Sequence, residues 1–117
     1  MDPSDDRAGF LKLTTVGRKS GKERTVHLMY FKDGDSYVVT ALNGGKNRNP
    51  GWYFNVKSHP EVSFQVKDRQ QKAVAEVAGP EKRRELWARL VEIAPMYGSY
   101  EKRATREIPM VILHPSS

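Results

Sequence analysis

Phe10-Leu11-Lys12-Leu13-Thr14-Thr15-Val16, then Gly17-Arg18-Lys19-Ser20-Gly21-Lys22-Glu23, then Arg24-Thr25-Val26-His27-Leu28-Met29-Tyr30-Phe31, is the stretch that sets the fold. The first run is apolar and β-branched, and the last alternates, with Val26, Leu28 and Tyr30 on one face; both have the period of two that strands require. The glycine-bounded middle segment ends the first strand and begins the second. The chain downstream repeats this grammar. Asp33-Gly34 is a hairpin signal and leads into a third strand, Ser36–Leu42. Asn43 to Gly51 is a turn-rich loop of Asn, Gly and Pro. Trp52 to Lys57 reads as a short helix stopped by His59-Pro60, because the residue before a proline is pushed out of helical geometry. Val62–Val66 alternates as a strand, Lys67-Asp68-Arg69 turns the chain, and Gln71–Ala78 alternates again with Ala73, Ala75 and Val77 opposite Val74, Glu76 and Ala78.

Gly79-Pro80-Glu81 then opens a helix, with proline where a helix accepts it. Leu86, Leu90 and Ile93, flanked by Trp87 and Val91, give that helix an apolar stripe, and Pro95 ends it. Tyr97–Thr105 reads as a second short helix and Ile108–Leu113 as a last, buried strand. Six strands with a late helical insertion predict an α+β chain, a mainly antiparallel six-stranded β-barrel carrying two or three short helices. A five-stranded barrel of the oligonucleotide-binding kind is the alternative. At 117 residues the chain is one domain, with residues 1–9 expected as a flexible segment and 10–115 as the barrel.

Zero cysteines exclude disulfides, thiolate metal sites and cysteine nucleophiles. No window is apolar enough to span a membrane, and the polar, acidic N-terminus is not a secretory signal. A cytoplasmic location is therefore expected, with peripheral contact at the inner face of a membrane left open. The net charge of +6 and pI of about 9.7 call for an anionic partner. The Arg18–Arg24 loop is the cleanest positive cluster, and its compactness suits a small polyanion better than a long duplex. Backbone N–H groups, the Ser20 hydroxyl and fixed positive charge meet there, which is what a phosphate or a string of carboxylates needs. Local composition alone slightly favours a solvated hairpin loop, and the order of a Walker A loop is absent.

Other clusters are ambiguous in isolation. His27, His59 and His114 lack metal-like spacing, and no nucleophile–base or paired-carboxylate arrangement supports hydrolysis. Trp52-Tyr53-Phe54-Asn55 reads as a plug for one barrel end, or as an aromatic wall and a polar Asn55 beside a flat ligand. Tyr97 and Tyr100, three apart on one helical face, read as packing residues, or as phenols able to donate a hydrogen bond or a proton.

In order and spacing the landmarks resemble one family. They are Leu13-Thr14-Thr15-x-Gly17-Arg18-Lys19-Ser20-Gly21-x-x-Arg24-Thr25, Asp33-Gly34, Tyr37-Val38-Val39, Asn43-Gly44-Gly45, Asn49-Pro50-x-Trp52-Tyr53-x-Asn55, Pro60-x-Val62 and Ile108-Pro109-Met110-Val111. The chain is similar to the deazaflavin-dependent nitroreductases, actinobacterial proteins that use coenzyme F420. The resemblance implies a split β-barrel related to FMN-binding barrels. It also implies reduced F420 as hydride donor to an electron-poor planar acceptor, a quinone, enone or nitroaromatic. By position it implies that Arg18, Lys19, Ser20 and Arg24 meet the cofactor's phosphate and oligoglutamate tail. Thr25, Val26, His27, Leu28 and Met29 would line the deazaflavin; Thr40, Ala41, Leu42 and Asn43 would sit near the ring; Gly51, Trp52, Tyr53, Phe54 and Asn55 would close the other side. Tyr97 and Tyr100 match tyrosines that face the acceptor, Tyr97 binding it or protonating the product and Tyr100 supporting.

Three departures stand out. His27 replaces the family's usual proline, and Leu42 and Ala94 replace a hydroxyl and a phenol of a nitroimidazole-reducing member. The chain also starts close to its first strand, without that member's longer extension. They bear on nitro-prodrug reduction and membrane attachment rather than on F420 binding. The expected partner is a small-molecule acceptor, with no nucleic acid and no metal, and the expected assembly a monomer or weak dimer. An FMN-binding barrel, an F420 carrier with little turnover, and a non-enzymatic barrel binding single-stranded nucleic acid are the competing readings. The last needs aromatics interleaved with basic residues on an exposed strand face; here they concentrate in core positions and in residues 52–54 and 97–100.

Overall fold

The computed structural model describes residues 8–42, 48–103 and 106–116. Its elements are β1 (Ala8–Val16), β2 (Glu23–Asp33), β3 (Ser36–Thr40), α1 (Gly51–Ser58), β4 (Glu61–Val66), β5 (Arg69–Val77), α2 (Pro80–Ile93), α3 (Met96–Arg103) and β6 (Met110–Ser116). The strands form a closed antiparallel barrel in the order β1-β2-β3-β6-β5-β4, sealed where Leu13 lies opposite Phe64.

Strand alternation sorts the side chains into two cores. Leu11, Leu13, Tyr30, Val39, Phe64, Val111 and Leu113 fill the barrel. Phe31, Val38, Met110 and Ile112 face outward and are covered by Leu86, Trp87 and Leu90 of α2. Residues 110 to 113 therefore alternate between two apolar compartments and are all buried. A strand buried on both faces reads as a continuous apolar run, whose ends periodicity does not define. This is why β6 starts two residues later than expected and runs on past Leu113. In β3 the ladder stops at Thr40, before the expected Leu42, because the Ala41 N–H turns to the Pro109 carbonyl at 2.9 Å. At the other end β1 begins at Ala8, already buried, so Ala8 and Gly9 belong to the barrel and not to the expected N-terminal segment.

Two loop residues join β2 to β3, since Asp33 pairs with Ser36. Gly34 takes the first of these positions at φ 62°, which a side chain disfavours. Helix α1 closes one barrel end with Trp52, Tyr53 and Val56, the plug expected of that segment. By contrast α3 buries none of its residues and leans on α2 through a Tyr97–Trp87 edge contact, with ring centroids 6.3 Å apart.

Charges fix α2 against the β2–β3 hairpin. Asp33 accepts from Arg89 at 2.7 Å and meets Lys82 at 3.0 Å. Lys82 first and Arg89 second hold the Asp33 carboxyl below its ordinary value of 3.8. A depressed folded-state pKa means that this stabilisation is complete above the unfolded value and is lost as pH falls through the folded one. In a partly exposed network it is worth about 0.5–1 kcal/mol. Thermal unfolding of Asp33→Asn should show that deficit at neutral pH, and the gap to the wild type should close below about pH 3.8.

Candidate active site

The loop between β1 and β2 is held in shape by its own backbone. The Gly17 N–H donates to the Lys22 carbonyl at 2.7 Å and the Gly21 N–H to the Gly17 carbonyl at 2.9 Å. Gly21 is left-handed at φ 72°. The Ser20 hydroxyl accepts from the Lys22 N–H at 3.2 Å, and a Cβ on Gly17 would stand 2.6 Å from that oxygen. A side chain at 17 would therefore displace the Ser20 hydroxyl from the Lys22 N–H.

Asn55 anchors this loop from below. Its Oδ1 accepts the Arg18 N–H at 3.1 Å and its Nδ2 donates to Thr15 Oγ1 at 3.0 Å. Thr15 and Asn55 are both buried. Asn55 does line the cleft, but its amide is engaged with the protein, so it positions the loop. The neighbouring Phe54 ring lies 5.0 Å from the Arg18 guanidinium, a cation–π contact that orients that side chain.

Two clefts adjoin along the barrel. The first, about 460 Å³, runs between the loop and the start of α1 and is lined by Arg18, Lys19, Ser20, Arg24 and Gly51 among others. The second, about 430 Å³, is lined by Phe10, Leu28, Met29, Thr40, Leu42 and Tyr97. They share Val26, Pro50 and Trp52, so one continuous groove is basic at one end and apolar and aromatic at the other.

The floor of the groove is a strand edge. β2 pairs with β3 only from Tyr30 to Asp33. Among the described residues, Glu23–Met29 therefore has β1 on one side and no strand on the other. Consecutive residues Val26, His27, Leu28 and Met29 all line the second cleft. Neighbouring side chains point to opposite faces of a strand, so a space touching all four meets β2 on its edge. Backbone donors and acceptors of an open edge are available to a partner. A flat heterocycle with carbonyl and N–H groups fits that edge, and a phosphate with carboxylates fits the basic end.

Tyr97 stands at the apolar end, half-buried, with its hydroxyl donating weakly to Met29 Sδ at 3.6 Å. Burial first, and Tyr100 second, push its pKa above the ordinary 10.0, so at neutral pH it keeps its proton and acts as a donor. Tyr100 packs ring against ring on Tyr97 at 5.8 Å but lines neither cleft.

Several expected site residues stand elsewhere. Thr25 turns its hydroxyl to Thr14 Oγ1 at 2.8 Å, away from the groove. Ala41, just past the end of β3, and Tyr53 of α1 both point into the barrel core. Asn43 lies outside the described residues. Three contributors were not anticipated: Phe10, Pro50 and Arg106. The Arg106 guanidinium donates to Asn49 Oδ1 at 2.6 Å and to the Ala41 and Leu42 carbonyls at 3.0 and 3.2 Å. It thereby ties the exit of β3 to the approach to α1, a contact between distant residues that no local pattern signals.

Comparison with known proteins agrees with this geometry. The sequence model of F420H(2)-dependent quinone reductases matches residues 6–115. An F420H(2)-dependent quinone reductase of Mycobacterium tuberculosis is 38% identical over 108 residues, covering 88% of this chain and 71% of the relative. The structure of an F420-H2 dependent reductase superposes with a TM-score of 0.81 at 38% identity, covering 90% of this chain and 93% of that one. A chain described as a domain-swapped dimer gives the same score and identity, with 90% and 79% covered. No helix among the described residues is long and apolar enough to cross a membrane. A split barrel with a cationic loop at one end of an edge-floored groove, matched over nearly its whole length, thus belongs to the F420H(2)-dependent quinone reductase family, and the chain is an oxidoreductase that draws its hydride from reduced F420.

Proposed function

We propose that this chain reduces a quinone, binding the phosphate and glutamyl tail of F420 at Arg18, Lys19, Ser20 and Arg24 and its ring along the β2 edge from Val26 to Met29. Thr40, Leu42, Gly51 and Trp52 would surround the ring. The observation that carries this reading is the continuity of the groove: a basic end and an edge-floored apolar end share Val26, Pro50 and Trp52. Reduced F420, when bound, supplies two electrons and one proton as a hydride. The cationic loop neutralises the anionic tail, the β2 edge sets the ring's orientation, and Pro50 and Trp52 screen it from water. Tyr97 donates a hydrogen bond to the quinone oxygen, and the second proton needed for the hydroquinone reaches that oxygen from the Tyr97 hydroxyl or from water. The domain-swapped relative makes a dimer the assembly to look for beside the monomer.

Tyr97→Phe tests the assignment. It keeps the ring contacts with Trp87 and Tyr100, so the fold and the affinity for F420 should persist. Turnover with menadione should fall about 2- to 13-fold, the value of one ordinary hydrogen bond of roughly 0.5–1.5 kcal/mol. A loss of about 100-fold or more would instead make Tyr97 the general acid. Lost F420 binding, or unchanged rates with every acceptor, would remove Tyr97 from the acceptor side.

A further inference from the structure

Beyond the groove, the outer face of the barrel carries a third cavity of about 390 Å³, lined by Phe10, Leu11, Lys12, His27, Gln65 and Lys67. It shares Phe10 and His27 with the ring end of the groove, so the two spaces meet there. Phe10 is 75% exposed, so its ring is accessible from both spaces.

The register orders these side chains into rows. Phe10 lies opposite Met29 and Lys12 opposite His27, while Lys12 also lies opposite Gln65 on β4. Met29 in turn touches the Tyr97 hydroxyl. One row is therefore Tyr97–Met29–Phe10, where the acceptor ring is expected. The next row, two residues along the strands and so about 7 Å away, is His27–Lys12–Gln65. Lys67 completes the second row from the β4–β5 turn. Its backbone is left-handed at φ 55°, the only non-glycine residue so recorded among those described, and its carbonyl accepts from Gln65 Nε2 at 2.9 Å. Among the described residues, no acidic side chain lines the cavity. Lys12, His27 and Lys67 form no ion pair with another described residue. Cations gathered without acids favour an anion entering between them.

We infer that this cavity is an acceptor subsite that selects electron-poor rings bearing an oxyanion substituent, a carboxylate or sulfonate, about 7 Å from the reducible ring. Phe10 would stack on the ring system, and Lys12 and Lys67 would hold the anion. The inference rests on the quinone-acceptor reading and specifies it further.

The test compares kcat/KM for 1,4-naphthoquinone with that for its 6-sulfonate, in the wild type, Lys12→Glu and Lys67→Asn. Asparagine tolerates the left-handed backbone at 67, so that variant removes charge without adding strain. Taking the sulfonate-to-neutral ratio in each protein, and then comparing proteins, cancels the electronic effect of the substituent. The ratio should fall about tenfold in Lys12→Glu and about threefold in Lys67→Asn, and the wild-type ratio should decline with added salt. Turnover of the neutral quinone and F420 affinity should stay unchanged in both variants. Identical ratios in all three proteins would overturn the subsite while leaving the acceptor reading intact. Failure of the wild type to reduce either quinone would overturn the acceptor reading, and the subsite with it.

Discussion

Lys19→Ala and Arg24→Ala should each weaken F420 binding by about ten- to a hundredfold, the worth of one charge-assisted contact of roughly 1.5–3 kcal/mol. Both side chains are exposed and both line the basic end of the groove, so removing either leaves no buried group unpaired. Melting temperatures should therefore change little. The loss should be greatest at low salt and shrink as salt rises, because the phosphate and glutamyl tail are screened together with the loop. Fluorescence titration of the cofactor measures all of this. FMN is the informative control: it has a phosphate but no glutamyl tail, and it should bind the wild type more weakly than F420. Unchanged F420 affinity in both variants would return the loop to a merely solvated turn, and equal FMN affinity would contradict recognition of the tail.

Asn55→Leu should combine a stability loss with a binding loss. Leucine has a similar size but offers the Arg18 N–H no acceptor and Thr15 Oγ1 no donor. Thr15 is 1% exposed, so water does not replace the missing partner. Two abandoned hydrogen bonds, one of them buried, should cost about 2–4 kcal/mol in denaturant unfolding. The loop would also be released from its anchor, and F420 affinity should fall by about tenfold even though no charge has been touched. A variant that loses stability but binds F420 as before would show that the loop keeps its shape through its own backbone contacts alone.

Legibility in the sequence followed the range of the interactions. β1, β2 and the Asp33-Gly34 hairpin are local patterns, and the structure has them close to where alternation put them. α2 opens at Pro80 as its proline suggests. The cationic loop was legible because its chemistry is contiguous. β6 was located but not bounded, since Met110 to Leu113 serve two cores and show no alternation of polarity. Asn55 reads from the sequence as a polar group beside a ligand, and its anchoring role is not legible there because its partners Thr15 and Arg18 lie 40 and 37 residues away. Arg106 left no trace at all: a single arginine among helix-end charges looks like solvent-facing charge until Asn49 and the Ala41 and Leu42 carbonyls are brought to it. The open edge of β2 was equally hidden, because it depends on where β3 stops pairing.

Helix α3, which buries none of its residues, gives the two ends of the groove different freedom to evolve. Little of the global folding free energy is invested in it, so it can open locally at a cost well below complete unfolding. The cofactor end is founded on the buried Thr15–Asn55 pair, where changes disturb the barrel itself. Substitutions around Tyr97 and Tyr100 can therefore re-tune which acceptors are reduced with little penalty to the scaffold. One cofactor-binding frame can thus support a succession of substrate preferences.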